Sequence, residues 1–415
     1  MNVDAPYPGD TPGAQSGPAS CGGYTALRAG VTIAGFCTFL QVYATQPLLP
    51  VIRKAFAASE LQAAMTVGAA SLAVALAAPL VGIMADAIGR KRVMVPAMLA
   101  MSIPTILGAT SHTLAQLVFW RFMMGLCIPG IIAVMLAYIA EEAADSAGAV
   151  MGSYVSGTVL GGLLGRFLAA LVAARFGWRA ALVVLGVVSF MGGLAVWRLL
   201  PRSRVFVPQR HAAEALRAMA GHLRNPRLLA TYLVGFNALF TLLGTFSYIN
   251  FHLAGQPFHL GTVALGSVFF VYALGVVVTP VAGIWIDRVG YRRALLAAAC
   301  IAIAGAWLTL TPVLWIVIAG LAVLSTGMFI CQAAASSHVG AAAGGSRSAA
   351  AGVYVCFYYL GGFVGATVLG VVWRYAAWPG CVATVTLMQL IAGAAAWRYF
   401  ADRRQTHEPA VATGD

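Results

Sequence analysis

GIMADAIGRKR (82–92) is followed 201 residues later by GIWIDRVGYRR (283–293), and each copy lies in a short polar break between two long apolar runs. Gly82, Asp86, Gly89, Arg90, Lys91 and Arg92 correspond to Gly283, Asp287, Gly290, Tyr291, Arg292 and Arg293. One chain therefore contains two copies of one folding unit, and the apolar runs on either side identify the medium that the unit occupies.

Of 415 residues, 61% are apolar and 9% charged, which is too little polar surface for a water-soluble globule. Runs of about 20 apolar residues are long enough to cross the roughly 30 Å hydrocarbon core of a bilayer as helices. Twelve are legible: spans 1 to 6 at 28–50, 62–84, 94–111, 113–138, 148–173 and 178–200, and spans 7 to 12 at 229–252, 262–285, 293–311, 313–335, 349–373 and 378–400. The expected fold is all-α, a polytopic membrane protein of twelve transmembrane helices in two pseudo-symmetric six-helix bundles. The expected organisation is a disordered tail (1–25), a first bundle (26–200), a linker (201–228), a second bundle (229–400) and a second tail (401–415). Within the linker, HAAEALRAMAGHL (211–223) has the mixed apolar and basic spacing of a helix lying on a membrane surface.

Positive charge orients the spans. Arg90, Lys91, Arg92, Arg202, Arg204, Arg210, Arg217, Arg224, Arg227, Arg288, Arg292, Arg293, Arg347, Arg403 and Arg404 fall on one side; Arg53, Lys54, Arg175 and Arg374 fall on the other, with Arg179 near a boundary. The basic side and both termini are expected in the cytoplasm, which places the protein in a bacterial inner membrane. The net charge of +13 is then a topology signal, and no basic segment is interleaved with stacking aromatics as a nucleic-acid surface requires. Residues 1–24 contain no Lys or Arg and so lack the basic start of a secretory signal. Six of the seven cysteines, Cys37, Cys127, Cys300, Cys331, Cys356 and Cys381, lie in spans as small apolar residues, and only Cys21 is outside. No metal-ligand spacing, phosphate-binding loop or nucleophile–base pair stands out, so no cofactor, no enzymatic activity and no ATP-driven pumping are expected.

GSYVSGTVLGGLLG (152–165) and GVYVCFYYLGGFVG (352–365) repeat at an offset of 200. Gly157, Gly161 and Gly165 recur on one face of span 5, and Gly361 and Gly365 on one face of span 11, with Gly162 and Gly362 beside them; such spacing lets helices pack closely. Two duplicated bundles around a central polar path are the construction of an alternating-access carrier.

The polar loop after span 2 and its echo after span 8 resemble the signature of the major facilitator superfamily, and the resemblance covers the whole chain. Arg121 with Gly125 in span 4 and the glycine-rich span 5 resemble further marks of the superfamily. Gly177-Trp178-Arg179 and YATQPLLPVIRKAF (43–56) are similar to its drug and sugar efflux branch. The resemblance implies that the first loop latches the outward-facing arrangement through Asp86 and a neighbouring helix. It also implies small-molecule efflux in exchange for protons. Antiporters of the family carry Gly-x-x-x-Gly-Pro-x-x-Gly-Gly in the fifth span; here Gly162 stands at the proline position and Arg166 at the final glycine.

An arginine inside a span costs about 2.5 to 3.5 kcal/mol on insertion scales unless it faces a partner or a wet cavity. Arg121 and Arg166 both do this, without equivalents in the second half, where Val323 and Ala366 stand. They are candidates for substrate or coupling roles; the alternative is that each bonds backbone carbonyls between helices. No Asp or Glu lies in the middle of a span; Glu141, Glu142 and Asp145 close the basic end of span 4. Uncharged polar residues complete the candidate site: Thr38, Gln41 and Thr45 on one face of span 1; Asn237, Thr241 and Tyr248 on span 7; Ser325, Gln332 and Ser336 on span 10; Tyr354 and Tyr358 on span 11. His252 and His259 are expected in the loop after span 7, solvated. The expected partners are a small-molecule substrate, protons and the bilayer, with the chain acting as a monomer. Proton-coupled uptake of an organic anion is the second transport reading, and a non-transporting membrane sensor or assembly subunit is the reading from another class.

Overall fold

A computed structural model of the chain describes residues 21–143, 146–201, 217, 219–342 and 347–400. These residues are almost entirely helical, with no strand among them. Nine helices are long and apolar enough to cross a membrane. Two of the nine, Ala147–Leu199 and Ala349–Tyr399, each contain two spans. The backbone leaves helical geometry at Gly177 (φ 84°) and at Ala377 (φ 47°), where spans 5 and 11 turn into spans 6 and 12. Span 3 is the additional helix Arg90–Gly108, kept less apolar by its three N-terminal cations. The protein is thus a multi-pass membrane protein with the twelve helices expected.

Span 1 is built from the helix Cys21–Val42, a 3₁₀ turn Gln46–Leu48 and the helix Leu49–Ala55. Pro47 lacks the N–H that would continue the first helix, and the interruption leaves carbonyls near Val42 without helical donors. The helix starts at Cys21, seven residues before the expected boundary. Residues 1–20 and 401–415 lie outside the described residues, as does most of the linker helix expected at 211–223, of which 217 and 219–222 are helical. Span 2, Glu60–Ile88, begins in a capping box at Ser59, and span 4, Leu114–Cys127 continued by Pro129–Glu142, in another at Thr113. Both satisfy helix-start N–H groups on the face opposite the basic loops.

The internal repeat reappears as repeated packing. A Cβ on Gly161 or Gly361 would collide with the carbonyl oxygen of Phe36 or Phe236, and one on Gly165 or Gly365 with that of Leu40 or Phe240. Span 1 therefore lies on span 5, and span 7 (Pro226–Ala254) on span 11, at backbone contact that no larger residue permits. A polar tie sits at the matching place in each bundle. Gln41 Nε2 donates to Ser189 Oγ (2.8 Å) and to Leu185 O (3.0 Å), joining spans 1 and 6. Asn237 Nδ2 donates to Gln389 Oε1 (3.1 Å), and Gln389 Nε2 donates to Thr241 Oγ1 (2.8 Å), joining spans 7 and 12.

The two bundles touch along the half of the molecule away from the basic loops. Ser71 Oγ of span 2 donates to Tyr359 O of span 11 (2.7 Å), and Gly68 lies against Ala366 and Phe363. Gly266 of span 8 lies against Ala170 of span 5, and Phe167 meets Phe270 edge-on at 5.4 Å. Toward the basic face the pattern reverses. Val277, Val281 and Ile284, which continue the Gly266 and Phe270 face of span 8, are exposed, and Cβ atoms on Gly82 or Gly283 would meet open space. The space between the bundles is closed on one side and open toward the basic loops.

Candidate functional site

Arg166, 4% exposed, sits at the closed end of this space. Its Nε donates to Gln46 Oε1 (2.8 Å) and its Nη1 to Gly162 O (2.7 Å), one turn back in its own helix. Three rings surround the guanidinium carbon: Tyr43 at 4.8 Å, Phe269 at 4.7 Å and Tyr272 at 5.0 Å. Tyr43 and Gln46 come from span 1, while Phe269 and Tyr272 come from span 8 in the opposite bundle. The local fold explains their reach. Span 8 passes from the helix Thr262–Val268 through a 3₁₀ segment, Phe269–Ala273, before Leu274–Val289. Residues three apart eclipse in a 3₁₀ turn, so Phe269 and Tyr272 present both rings to one side. A desolvated cation–π contact contributes about 2 kcal/mol, so three rings and two hydrogen bonds offset the cost of burying this cation.

Among the described residues no carboxylate pairs with Arg166, and its Nη2 group donates to no protein acceptor. Further tyrosines stand close by. Tyr359 lies beside Tyr43, Tyr358 lies within electrostatic reach of Tyr43 and Tyr272, and Tyr354 stacks on Tyr358 at 6.1 Å. The hydroxyls of Tyr354 and of Tyr154, which neighbours Tyr359, are buried without a hydrogen-bond partner.

Arg121 is not part of this cluster. Its Nε donates to Thr66 O (3.0 Å), Nη1 to Gln41 O (3.0 Å) and Nη2 to Val42 O (2.6 Å), all buried. The carbonyls of Gln41 and Val42 are those freed where the first helix of span 1 ends, so this guanidinium ties the break to span 2. Gln41 and Asn237 face their neighbouring spans 6 and 12. Tyr248 donates to Ala366 O (2.7 Å) between spans 7 and 11, and Thr45 is buried with its hydroxyl unpartnered. Gln332 is half-buried on span 10. Of the expected site residues, only Tyr358 comes near the cluster, beside Tyr43 and Tyr272, with Tyr354 behind it against Gly235 of span 7. Gly162 meets nothing nearer than Arg166 Nη1 at 3.5 Å, and Gly362 faces Ser71 and Leu239 where the bundles touch.

In the duplicated loop, Gly89 (φ 112°) and Gly290 (φ 86°) both adopt the positive φ that glycine allows without strain. Arg90 is paired with Glu141 at the end of span 4 (2.8 Å), and Lys91 donates to Leu200 O. Arg292 lies over the Trp397 ring at 3.5 Å, while Arg92, Asp287 and Arg293 are exposed. The Asp86 side chain lies outside the described residues, as does Asp145. His252 departs from expectation. It occupies the last turn of span 7 with its ring stacked on Trp378 (5.6 Å, 14° between planes), because that helix extends to Ala254.

Tyr43, Gln46, Tyr272 and Tyr359 were not singled out by the sequence reading. Tyr43 and Gln46 nevertheless fall in the YATQPLLP segment that opens the efflux-branch resemblance, and the Gln46–Pro47 pair late in span 1 was the signal for a break in the helix.

The sequence matches the Major Facilitator Superfamily over residues 31–366. The chain belongs to the major facilitator superfamily. It is 32% identical over 361 residues to the inner membrane transport protein YnfM of Escherichia coli (strain K12), covering 86% of this chain and 87% of that one. It is also 32% identical over 361 residues to YybF of Bacillus subtilis (strain 168), described as an uncharacterized MFS-type transporter, covering 86% and 89%. Among solved structures it is similar to a bacterial homolog of the human lysosomal transporter Spinster, crystallised inward-facing and unoccupied. That match has a TM-score of 0.76 at 16% identity and covers 92% of this chain and 98% of that one, a likeness of fold. Members of the superfamily are membrane transporters that bind small-molecule substrates, so the cluster around Arg166, between the two bundles of a superfamily fold, is the candidate substrate site.

Proposed function

We propose that the chain is a secondary active transporter that exports a small organic molecule across the bacterial inner membrane by alternating access, with protons as the coupling ion. The observation that carries this reading is that Arg166 is held jointly by both bundles at the closed end of the space between them. A group in that position must exchange partners when the bundles rock, so its occupancy and the closure of the site are coupled. The basic loops, expected in the cytoplasm, make the open side the cytoplasmic one, from which an exporter loads its substrate. No membrane-embedded carboxylate is found among the described residues. Coupling then runs through groups at the basic face such as Glu141, or through the protonation of the substrate itself.

The test uses inside-out vesicles with an imposed pH gradient, scored with a pH-sensitive dye while cationic, neutral and anionic candidates are added. Compound-dependent collapse of the gradient, absent in vesicles without the protein, is the expected result. Compound-driven proton entry in right-side-out vesicles, with no effect in inside-out ones, favours the second reading, uptake by proton symport. That reading draws on the lack of a carboxylate beside Arg166. No response in either orientation from folded, inserted protein overturns proton-coupled transport.

A further inference from the structure

We infer that the Arg166 cluster binds an aromatic organic monoanion, its acidic group on the free Nη2 edge of the guanidinium and its ring against Tyr272 and Tyr358. The inference rests on the transporter reading and names the substrate class of that same site. Three observations carry it.

The first is charge. Arg166 is a buried cation with no carboxylate partner among the described residues. Neutral acceptors and ring faces hold it without neutralising it, and a ligand carboxylate would do so through charge-assisted hydrogen bonds in a water-poor setting. The second is geometry. Gln46 and Gly162 occupy Nε and Nη1 and leave Nη2 with two N–H groups undirected. One arginine with one free edge accommodates one acidic group, which disfavours dianions. The third is the wall. Tyr272 and Tyr358 are half-buried on the two spans of the second bundle that face the first, and Tyr354 backs Tyr358 from the Gly235 side of span 7. Flat ring faces suit a planar π-system, and aromatic pairs contribute beyond simple burial. A sugar would require several convergent polar groups, and a cation would be repelled.

A scaffold role for Arg166 as a cation–π latch between spans 5 and 8 predicts different behaviour. A latch ignores ligand charge.

The test is equilibrium binding to the purified full chain in lipid nanodiscs, read by calorimetry and thermal shift. Benzoate, phenylacetate and indole-3-acetate are the anionic probes; benzylamine and benzyl alcohol are the matched non-anions, and cyclohexanecarboxylate is the non-aromatic anion. The arylcarboxylates should bind saturably, benzoate more tightly than cyclohexanecarboxylate, and the non-anions should not. Arg166→Gln should weaken benzoate binding by about tenfold or more, the loss of a charge-assisted contact. If Arg166→Gln does not fold, Tyr358→Leu reads the same site, and the preference for benzoate over cyclohexanecarboxylate should collapse toward equality. Benzylamine or benzyl alcohol binding as tightly as benzoate, unchanged benzoate affinity in Arg166→Gln, an unchanged ring preference in Tyr358→Leu, or no saturable arylcarboxylate binding each overturns the inference. Binding as expected with no compound-driven proton flux keeps the site and removes the transport reading. Flux driven by amines or neutral compounds without arylcarboxylate binding does the reverse.

Discussion

The two intramembrane arginines show how one residue type resolves into two roles once its acceptors are known. Each of the three nitrogens of Arg121 donates to a backbone carbonyl, from two spans in all, so its removal takes a donor from every one of these buried acceptors. Arg121→Met is therefore expected to cost about 3 kcal/mol or more of stability, seen as a lower unfolding midpoint in detergent; an unchanged midpoint would refute the tie. Arg121→Lys should recover only part of the loss, since one ammonium cannot reach carbonyls on both spans. Arg166→Gln should behave differently. It gives up the ring contacts and also relieves the burial cost that they offset, and is expected to change the midpoint less than Arg121→Met does while disabling ligand binding. Equal destabilisation by the two substitutions would place Arg166 with the scaffold.

At the scale of elements, close packing and open space make opposite predictions for glycines that look alike in sequence. Gly161→Ala and Gly361→Ala push a methyl into the backbone of the facing helix and should each destabilise by about 1 to 3 kcal/mol, measured by unfolding in detergent. Gly82→Ala and Gly283→Ala lie inside helices and meet nothing in the conformation open to the basic face, so neither should lower the unfolding midpoint and each should raise stability by up to about 1 kcal/mol. If these loops seat against the other bundle when the basic face closes, the same two variants should slow turnover without loss of stability; normal turnover in both would show that the loops never seat.

The twelve spans and the glycine seams were legible because apolar run length and four-residue spacing survive in any environment. The azimuth of polar side chains was not. In helices that are apolar on nearly every face, Gln41 or Asn237 can point to a neighbouring span or to the centre with the same periodicity, and only their partners Ser189 and Gln389 decide it. The break at Gln46–Pro47 and the 3₁₀ segment Phe269–Ala273 rotate side chains away from ideal helical faces, which is why Tyr272 and Gln46 escaped a reading based on regular helices.

For the whole molecule, the pseudo-symmetric bundles, joined on one side and parted on the other, describe one end state of a rocking motion. The closed side is held by contacts between helices, Ser71 with Tyr359 and Gly266 with Ala170, that can part without disrupting either glycine seam. The most direct measurement is the distance between spin labels by pulsed electron paramagnetic resonance, in protein whose native cysteines are replaced. One pair sits at Gly148 and Ala351 near the basic face, the other at Ser59 and Tyr375 on the opposite face. Without ligand the basic-face pair should be long and the opposite pair short; benzoate, or another compound that drives flux, should shorten the first and lengthen the second together. Distances on both faces that stay fixed while a bound compound is being transported would contradict alternating access by rocking bundles.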